Sequence, residues 1–128
     1  MPTDGIDHLE RAEQELGEIC AAYPDAALDH PWGENVYKVH GKVFAFLNIY
    51  RDALYVTLKL PASQGVALAE PFAEAARYHL GQAGWVTARF EGDMSVPVDV
   101  LAVWIDESYR SIAPRKLVAK LDAAGALP

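Results

Sequence analysis

The stretch NVYKVHGKVFAFLNIYRDALYVTLKLP, residues Asn35 to Pro61, decides the fold because it alone can form three consecutive β-strands. Two short breaks, at residues 40–42 and 51–52, separate three runs that are rich in β-branched and aromatic residues. Breaks of this length are too short for a parallel crossover, so we expect antiparallel hairpins. Pro61 ends the third run because proline has no N–H for the ladder. The stretch therefore predicts a three-stranded antiparallel meander.

Alternation along the third run, residues 53–60, divides its side chains between two faces of the sheet. Leucine and valine occupy one face, and Tyr55, Thr57 and Lys59 occupy the other. The second run, residues 43–49, is apolar on both faces. This is typical of a central strand whose outer face is also partly covered.

Helices are predicted on both sides of this stretch. Apolar residues at three-to-four spacing predict a first helix from about Gly5 to Ala22. No regular element is expected in residues 23–34, where Trp32 is expected to close one end of the core. The elements predicted after the meander are a short helix from Ser63 to about Glu70, a short strand near Arg77 to Leu80, a strand from Trp85 to Glu91, a helix that starts near Ser95, and a helix from about Pro114 to Ala124.

Length and composition favour a single domain, residues 1–128. A chain of 128 residues that is 52% hydrophobic can bury about two-thirds of the surface that its unfolded form exposes. A single cysteine excludes an internal disulfide. The first ten residues have neither a basic start nor an apolar run, so we expect no signal peptide, and no apolar window is long enough to span a bilayer. We therefore expect a cytoplasmic α+β protein with two layers, in which helices cover an antiparallel sheet.

The net charge of −7 is unevenly distributed along the sequence. Residues 1–34 contain nine acidic residues and one basic residue, whereas residues 35–128 contain nine acidic and ten basic residues. The acidity therefore belongs to the first helix and the loop after it. The part that forms the sheet is close to neutral, which leaves nucleic-acid binding open as a class.

The outer face of the sheet is the strongest candidate for a functional surface. Alternation assigns to it Tyr55, Thr57, Lys59, Trp85, Thr87 and Arg89, and the first strand adds Lys38 and His40. Aromatic rings beside Lys and Arg let bases stack while cations meet phosphates. Alternatively, a helix or a dimer partner covers Tyr55 and Trp85, and the cations lie at the rim. The residues leave both interpretations open.

The turn His40-Gly41-Lys42, together with Lys38, is a second candidate. A basic hairpin of this kind can lie against a phosphate backbone as a wing. A solvated hairpin tip has the same composition, so the sequence does not decide between the two.

Residues for catalysis or metal binding are few. Cys20 lies on the apolar stripe of the first helix, which predicts a buried, unreactive thiol. The four histidines show no metal-ligand spacing with each other or with the cysteine. Acidic residues on the first helix attract hard cations weakly, although a solubilising helix surface is the stronger interpretation. We therefore predict no enzyme activity and no cofactor.

Several segments resemble the MmcQ/YjbR family of small bacterial proteins. They are YPDA (residues 23–26), PWG (31–33), KVHGKVFA (38–45), LKLP (58–61), YHLGQAGWV (78–86) and ESYR (107–110). The likeness, carried by the order and spacing of these segments, extends from about residue 10 to residue 121. One departure is Asp25, where many members have glycine. The resemblance implies an α-β-β-β-α-β-β-α arrangement, similar to frataxin-like and secretion-chaperone-like folds. It also implies DNA binding, without established catalytic residues.

Three functions compete. The residues alone slightly favour a protein-interaction domain that buries the aromatic face in a partner or a homodimer. The resemblance shifts the overall prediction to a non-enzymatic DNA-binding module that uses the basic and aromatic sheet face and the hairpin wings, with the protein-interaction domain as the alternative. Weak frataxin-like metal binding by the acidic first helix comes third. The residues predicted to bind nucleic acid are Lys38, His40, Lys42, Tyr55, Lys59, Trp85 and Arg89.

Overall fold

The computed structural model describes residues 4–30, 33–77 and 80–125, so Trp32 and its predicted role lie outside the described residues. The helices are α1 (Asp4–Ala21), α2 (Gln64–Leu68), α3 (Val98–Ile112) and α4 (Arg115–Gly125), with a 3₁₀ turn at Leu80–Ala83. The strands are β1 (Ala26–Asp29), β2 (Asn35–Val39), β3 (Lys42–Tyr50), β4 (Ala53–Lys59), β5 (Ala73–Ala75) and β6 (Trp85–Glu91). They form one antiparallel sheet in the order β1-β2-β3-β4-β6-β5. Within these ranges, no helix is long and apolar enough to cross a membrane.

The α+β class is confirmed, and the predicted meander is confirmed as β2, β3 and β4. Both hairpins turn through two residues of positive φ, which are His40 (50°) and Gly41 (81°) in the first, and Arg51 (51°) and Asp52 (63°) in the second. Paired positive φ angles match the twist of the flanking strands. Only Gly41 adopts this geometry without a steric penalty, so the second hairpin turn is the more strained.

Strand β1 corrects the sequence analysis, which expected no regular element in residues 23–34. Its residues pair antiparallel with β2 along their whole length. The turn before it contains Asp25 at a φ of 58°, a left-handed conformation that glycine adopts most easily. Asp25 keeps this turn although many members of the family that the sequence resembles have glycine there. Its carboxylate also accepts a hydrogen bond from His40 Nε2 at 2.9 Å.

Two further boundaries differ from the prediction. A short strand lies at Ala73–Ala75 and pairs with β6 at the far edge of the sheet, whereas the strand was expected near residues 77–80, of which 78 and 79 lie outside the described residues. Helix α3 begins at Val98 rather than near Ser95. The residue before Pro97 is pushed out of helical geometry by the proline ring, which explains the later start.

The hydrophobic core lies between one face of the sheet and the helices α1 and α3. The predicted stripes of both helices are buried, with Leu9, Leu16 and Cys20 on α1 and Leu101 and Ile105 on α3 at 1% exposure or less. The sheet residues packed against them include Leu47, Leu54, Val56, Leu58, Val86, Ala88 and Phe90. The core therefore occupies this face of the sheet along β2, β3, β4 and β6.

A cluster of three rings closes the core beneath the turn before β1. Tyr109 on α3 is fully buried, with its ring centroid 4.6 Å from that of Tyr23 and 5.2 Å from that of Phe44. Its hydroxyl donates to the carbonyl oxygen of Pro24 at 2.7 Å. Burial raises the pKa of Tyr109, so the hydroxyl stays protonated and remains a donor.

The ESYR segment of α3 has a structural role. The Glu107 carboxylate accepts hydrogen bonds from the backbone N–H groups of Ala62 and Ser63, at 2.8 and 3.0 Å, and from the Ser63 hydroxyl at 2.6 Å. Ser63 precedes α2 as predicted, but its side chain is used by Glu107 rather than by the helix. Arg110 donates to Asp122 on α4 at 2.6 Å. The segment therefore ties α2 and α4 to α3.

Ser108, in the same segment, connects α3 to two strands. A register shift between β2 and β3 leaves Phe44 without a cross-strand partner on β2. The Ser108 hydroxyl donates to the Phe44 carbonyl oxygen at 2.5 Å and accepts from the Lys59 N–H at 2.9 Å. Ser108 thus fixes the bulge in β3 and the end of β4 against the helix.

Candidate functional site

The outer face of the sheet, opposite α1 and α3, is assembled by the pairing of β4 with β6. The register places Tyr55 opposite Arg89, and Lys59 opposite Trp85. These four residues therefore share one face, as the alternation of both strands predicted. The sequence did not reveal that β4 and β6 are direct neighbours, because β5 and two helical elements separate them along the chain.

A groove on the outer face encloses about 350 Å³. We call it the outer groove, and it is lined by Glu34, Phe46, Asn48, Tyr50, Tyr55, Thr57, Glu74, Ala76, Arg77 and Thr87. Thr57 and Thr87 form its centre, with their hydroxyl oxygens 2.9 Å apart across β4 and β6. Aromatic side chains from β3 and β4 stand beside this pair. A volume of this size lies at the lower end of the range of about 300–1,000 Å³ for ligand pockets, and it has room for one large side chain.

Trp85 does not present its ring to solvent. The residue is 7% exposed, and its ring meets that of Phe46 edge-on with the centroids 5.7 Å apart. A base needs an open ring face to stack, and the buried ring of Trp85 does not offer one. The accessible aromatic surface belongs to Tyr50, which is 60% exposed, and to the half-buried Tyr55.

Two of the predicted phosphate-binding cations already have carboxylate partners. Lys38 Nζ lies 2.9 Å from Asp29 Oδ2, and Arg89 Nη2 lies 2.6 Å from Glu91 Oε1. The hydrogen bond from Lys38 holds the pKa of Asp29 below its usual value, so that pair is ionised at neutral pH. Each carboxylate reduces the attraction of its cation for phosphate.

The hairpin tip with His40 and Lys42 is a surface separate from the outer groove. His40 donates to Asp25, as described above. Lys42 begins β3, and at about 3.4 Å per residue its backbone lies about 20 Å from that of Asn48 in the groove. Neither Lys42 nor Lys59 forms an ion pair with any residue that the structure describes. The seven predicted residues therefore do not form one continuous site.

Several residues of the outer groove were missed by the sequence analysis. Glu34 precedes β2, whereas Glu74 and Arg77 belong to or follow β5, and no local pattern connects these segments with β3. One signal was present in the sequence. Asn48 is the polar residue within the otherwise apolar run of residues 43–49, which indicates that the outer face of β3 meets a polar environment.

Helix α1 carries the acidic residues and the cysteine that were considered for metal binding and nucleophilic catalysis. In the described part of the chain, no three His, Cys, Asp or Glu side chains are close enough together to hold a metal ion. Cys20 is fully buried, and burial raises the pKa of its thiol to about 12. The predicted burial of Cys20 is confirmed, and its low reactivity stays a prediction that the raised pKa favours.

Known proteins match this chain in sequence and in fold. The family model described as YjbR matches residues 21–111. Among solved structures, a Deinococcus radiodurans protein with the DUF419 family domain is 27% identical, with 75% of this chain and 74% of that protein covered and a TM-score of 0.61. A Pseudomonas syringae protein is 20% identical, with 77% and 96% covered and a TM-score of 0.59, which shows the fold alone. No curated protein matches the sequence.

Proposed function

The chain belongs to the YjbR family, and on that premise we propose that it is a non-enzymatic protein-interaction module. Its outer groove binds a segment of a partner protein. The observation that carries the proposal is the groove itself, in which aromatic side chains stand beside a half-buried pair of hydroxyls without an excess of positive charge. Family membership supports the fold, whereas the function is argued from this site.

The outer groove offers the groups that a peptide segment needs. The Thr57 and Thr87 hydroxyls bond each other, and Asn48 Oδ1 accepts from the Asn35 N–H at 2.8 Å. The remaining donor and acceptor positions of these groups, such as the Asn48 Nδ2 amide, can pair with a peptide backbone. Tyr50 and Tyr55 supply rigid apolar surface with a polar tip, the combination that is enriched at protein interfaces. The volume suits one anchoring side chain of the partner, flanked by backbone contacts.

The charges around the outer groove favour a protein segment over a nucleic acid. Glu34 and Glu74 line the groove together with one cation, Arg77. A phosphate that entered the groove would approach two carboxylates, and this repulsion opposes binding. A protein segment, which carries charges of either sign, can pair with both kinds of group.

The predicted cations supply little net attraction for DNA. Lys38 and Arg89 would first have to leave their carboxylate partners. Lys42 and Lys59 remain, and two phosphate contacts correspond to a slope of about −1.8 in log K against log salt for duplex DNA. This is a weak, non-specific interaction compared with the many contacts of a dedicated DNA-binding protein.

A selection from a random nonapeptide library, followed by fluorescence anisotropy of the selected peptides, tests the proposal. Thr87→Arg fills the centre of the groove, whereas Val103→Arg places the same charge on the exposed side of α3, where Val103 is 68% exposed. We expect the selected peptides to compete for one site. They should bind Thr87→Arg at least about tenfold more weakly and Val103→Arg unchanged. Circular dichroism verifies that both variants are folded.

Labelled duplex and single-stranded DNA of random sequence, at low and near-physiological salt, provide the opposing measurement. We expect no binding to the wild type at protein concentrations up to about 10⁻⁴ M at the higher salt. DNA binding that weakens with salt and with Lys59→Ala/Arg89→Ala, while no selected peptide responds to Thr87→Arg, would overturn the proposal. That result would support the DNA-binding function instead.

A further inference from the structure

Strand β1 forms one edge of the sheet, and within the described residues β2 is its one paired neighbour. The Ala26 N–H donates to the Tyr23 carbonyl oxygen at 3.1 Å, so it is not used in the ladder with β2. Backbone groups alternate in direction along an antiparallel strand, and the N–H and C=O of Leu28 therefore point away from β2 as well. The edge thus presents the N–H and C=O of Leu28 to the outside, where a further strand can pair with them.

An apolar cleft lies beside this edge, on the helix-covered side of the sheet, and encloses about 350 Å³. We call it the edge cleft. Helix α1 forms one wall, and Leu28, Tyr37 and Leu47 from the first three strands form the other. Leu28 is 48% exposed because α1 does not fully cover the edge strand β1. Apolar surface and outward backbone groups therefore occur at the same place.

A strand added to β1 would use both features at once. Its backbone would pair with the peptide group of Leu28, and its side chains would alternate between the two faces of the extended sheet. Every second side chain would enter the edge cleft beside Leu28. The side chains between them would lie on the outer face, next to Asp29 and Lys38.

Charge indicates which kind of segment fits. Glu13 and Glu18 stand on the α1 side of the edge cleft, and residues 1–34 contain nine acidic residues and one basic residue. A second copy paired through β1 would bring two acidic helices together, whereas a basic segment would be attracted. We infer that the β1 edge is a docking site for an extended basic segment of a partner protein. Its basic side chains, at every second position, enter the edge cleft with their apolar stems beside Leu28 and their charged ends toward Glu13 and Glu18. This site is independent of the outer groove.

The first test uses defined peptides and the full chain. The probe is an eight-residue peptide of alternating valine and lysine, and one control replaces every lysine with glutamate. Two further controls carry backbone N-methyl groups on all valines or on all lysines. In an extended peptide the N–H groups of one of these two sets point toward the β1 edge, so one of the two controls loses the backbone hydrogen bonds. We expect saturable binding of the probe in anisotropy titrations. The glutamate control and one of the two methylated peptides should bind at least about tenfold more weakly.

Variants of the protein locate the site. Glu18→Lys and Glu15→Lys change the net charge equally on exposed positions of α1, but only Glu18 lines the edge cleft. Glu18→Lys and Leu28→Lys should each weaken binding by about tenfold, and Glu15→Lys by less than about twofold. Thr87→Arg, in the outer groove, should have no effect. Hydrogen exchange at the Leu28 amide should slow in the complex, because that amide becomes paired.

Four results would each overturn the inference. They are equal weakening by Glu15→Lys and Glu18→Lys, full binding of both methylated peptides, no binding at about 1 mM protein, and self-association in sedimentation that Leu28→Lys abolishes. The last result would assign the edge to a second copy of the chain. These results would not bear on the proposal for the outer groove, because that proposal is tested by the effect of Thr87→Arg on the selected peptides.

Discussion

Ser108→Ala should destabilise the fold far more than the loss of one oxygen atom suggests. The Ser108 hydroxyl is fully buried and bonds two backbone groups on different strands, the carbonyl of Phe44 and the N–H of Lys59. The carbonyl belongs to the bulge of β3, where no strand neighbour can replace the serine. Alanine fits the space but leaves both groups without this partner.

The expected magnitude follows from these two bonds. A buried backbone group that loses its partner costs about 1–3 kcal/mol, so the two together should lower the free energy of unfolding by about 2–4 kcal/mol after local relaxation. The unfolding entropy of a 128-residue chain is about 0.27 kcal/mol/K. The melting temperature should therefore fall by about 7–15 °C.

Urea denaturation followed by circular dichroism, together with calorimetry, measures both quantities. Ser111→Ala is the matched control, because the Ser111 hydroxyl is exposed and donates only to a carbonyl of its own helix at 2.8 Å. That variant should lose less than about 0.5 kcal/mol. Equal losses for the two variants, or a loss below about 0.5 kcal/mol for Ser108→Ala, would refute the bridging role.

Three further predictions concern single side chains. Asp25→Gly should change the free energy of unfolding by less than about 0.5 kcal/mol, because glycine adopts a φ of 58° freely. Asp25→Val should lower it by about 1–2 kcal/mol, because a side chain with a Cβ is penalised at this φ. Urea denaturation measures both values, and similar losses for the two variants would contradict the prediction. Cys20 should not react with a thiol reagent at pH 8 until the chain unfolds, because burial raises the pKa of its thiol to about 12; rapid labelling of the native protein would be the contrary result. Burial raises the pKa of Glu13, so the wild type loses stability as pH rises through that pKa. Glu13→Gln should therefore gain stability over the wild type at pH 7 but not at pH 4, and equal urea midpoint differences at the two pH values would rule this out.

The strands that carry their own pattern were predictable from the sequence, and those that depend on a neighbour were not. Strand β4 alternates strictly and β6 almost as clearly, and both were placed correctly. Strand β1 has the sequence AALD, which contains no β-branched or aromatic residue, and β5 has the sequence AEA. Both form because an adjacent strand offers unpaired backbone groups. A local pattern contains no information about that neighbour.

The same dependence limited the prediction of the site. Alternation assigned side chains to the outer face, but the exposure of a side chain depends on what packs across it. Phe46 packs against Trp85 from a strand that is not its direct neighbour. The carboxylate that pairs with Lys38 belongs to Asp29 on β1. Because β1 was not predicted, Lys38 was expected to be available for a phosphate. The missed strand therefore changed the electrostatic interpretation around Lys38.

The two proposed docking surfaces lie on opposite faces of the sheet and differ in charge, so one protein can hold two partners without competition. The edge cleft adjoins the acidic first helix, whereas the outer groove combines two carboxylates with one cation. The Debye length shortens from about 8 Å at 0.15 M salt to about 3 Å at 1 M, which weakens exposed charge pairs but not apolar contacts. Added salt should therefore release the basic peptide from the edge cleft and leave the groove peptide bound. Simultaneous release of both peptides would mean that they share one site, and simple attraction to the acidic helix would then explain the edge binding.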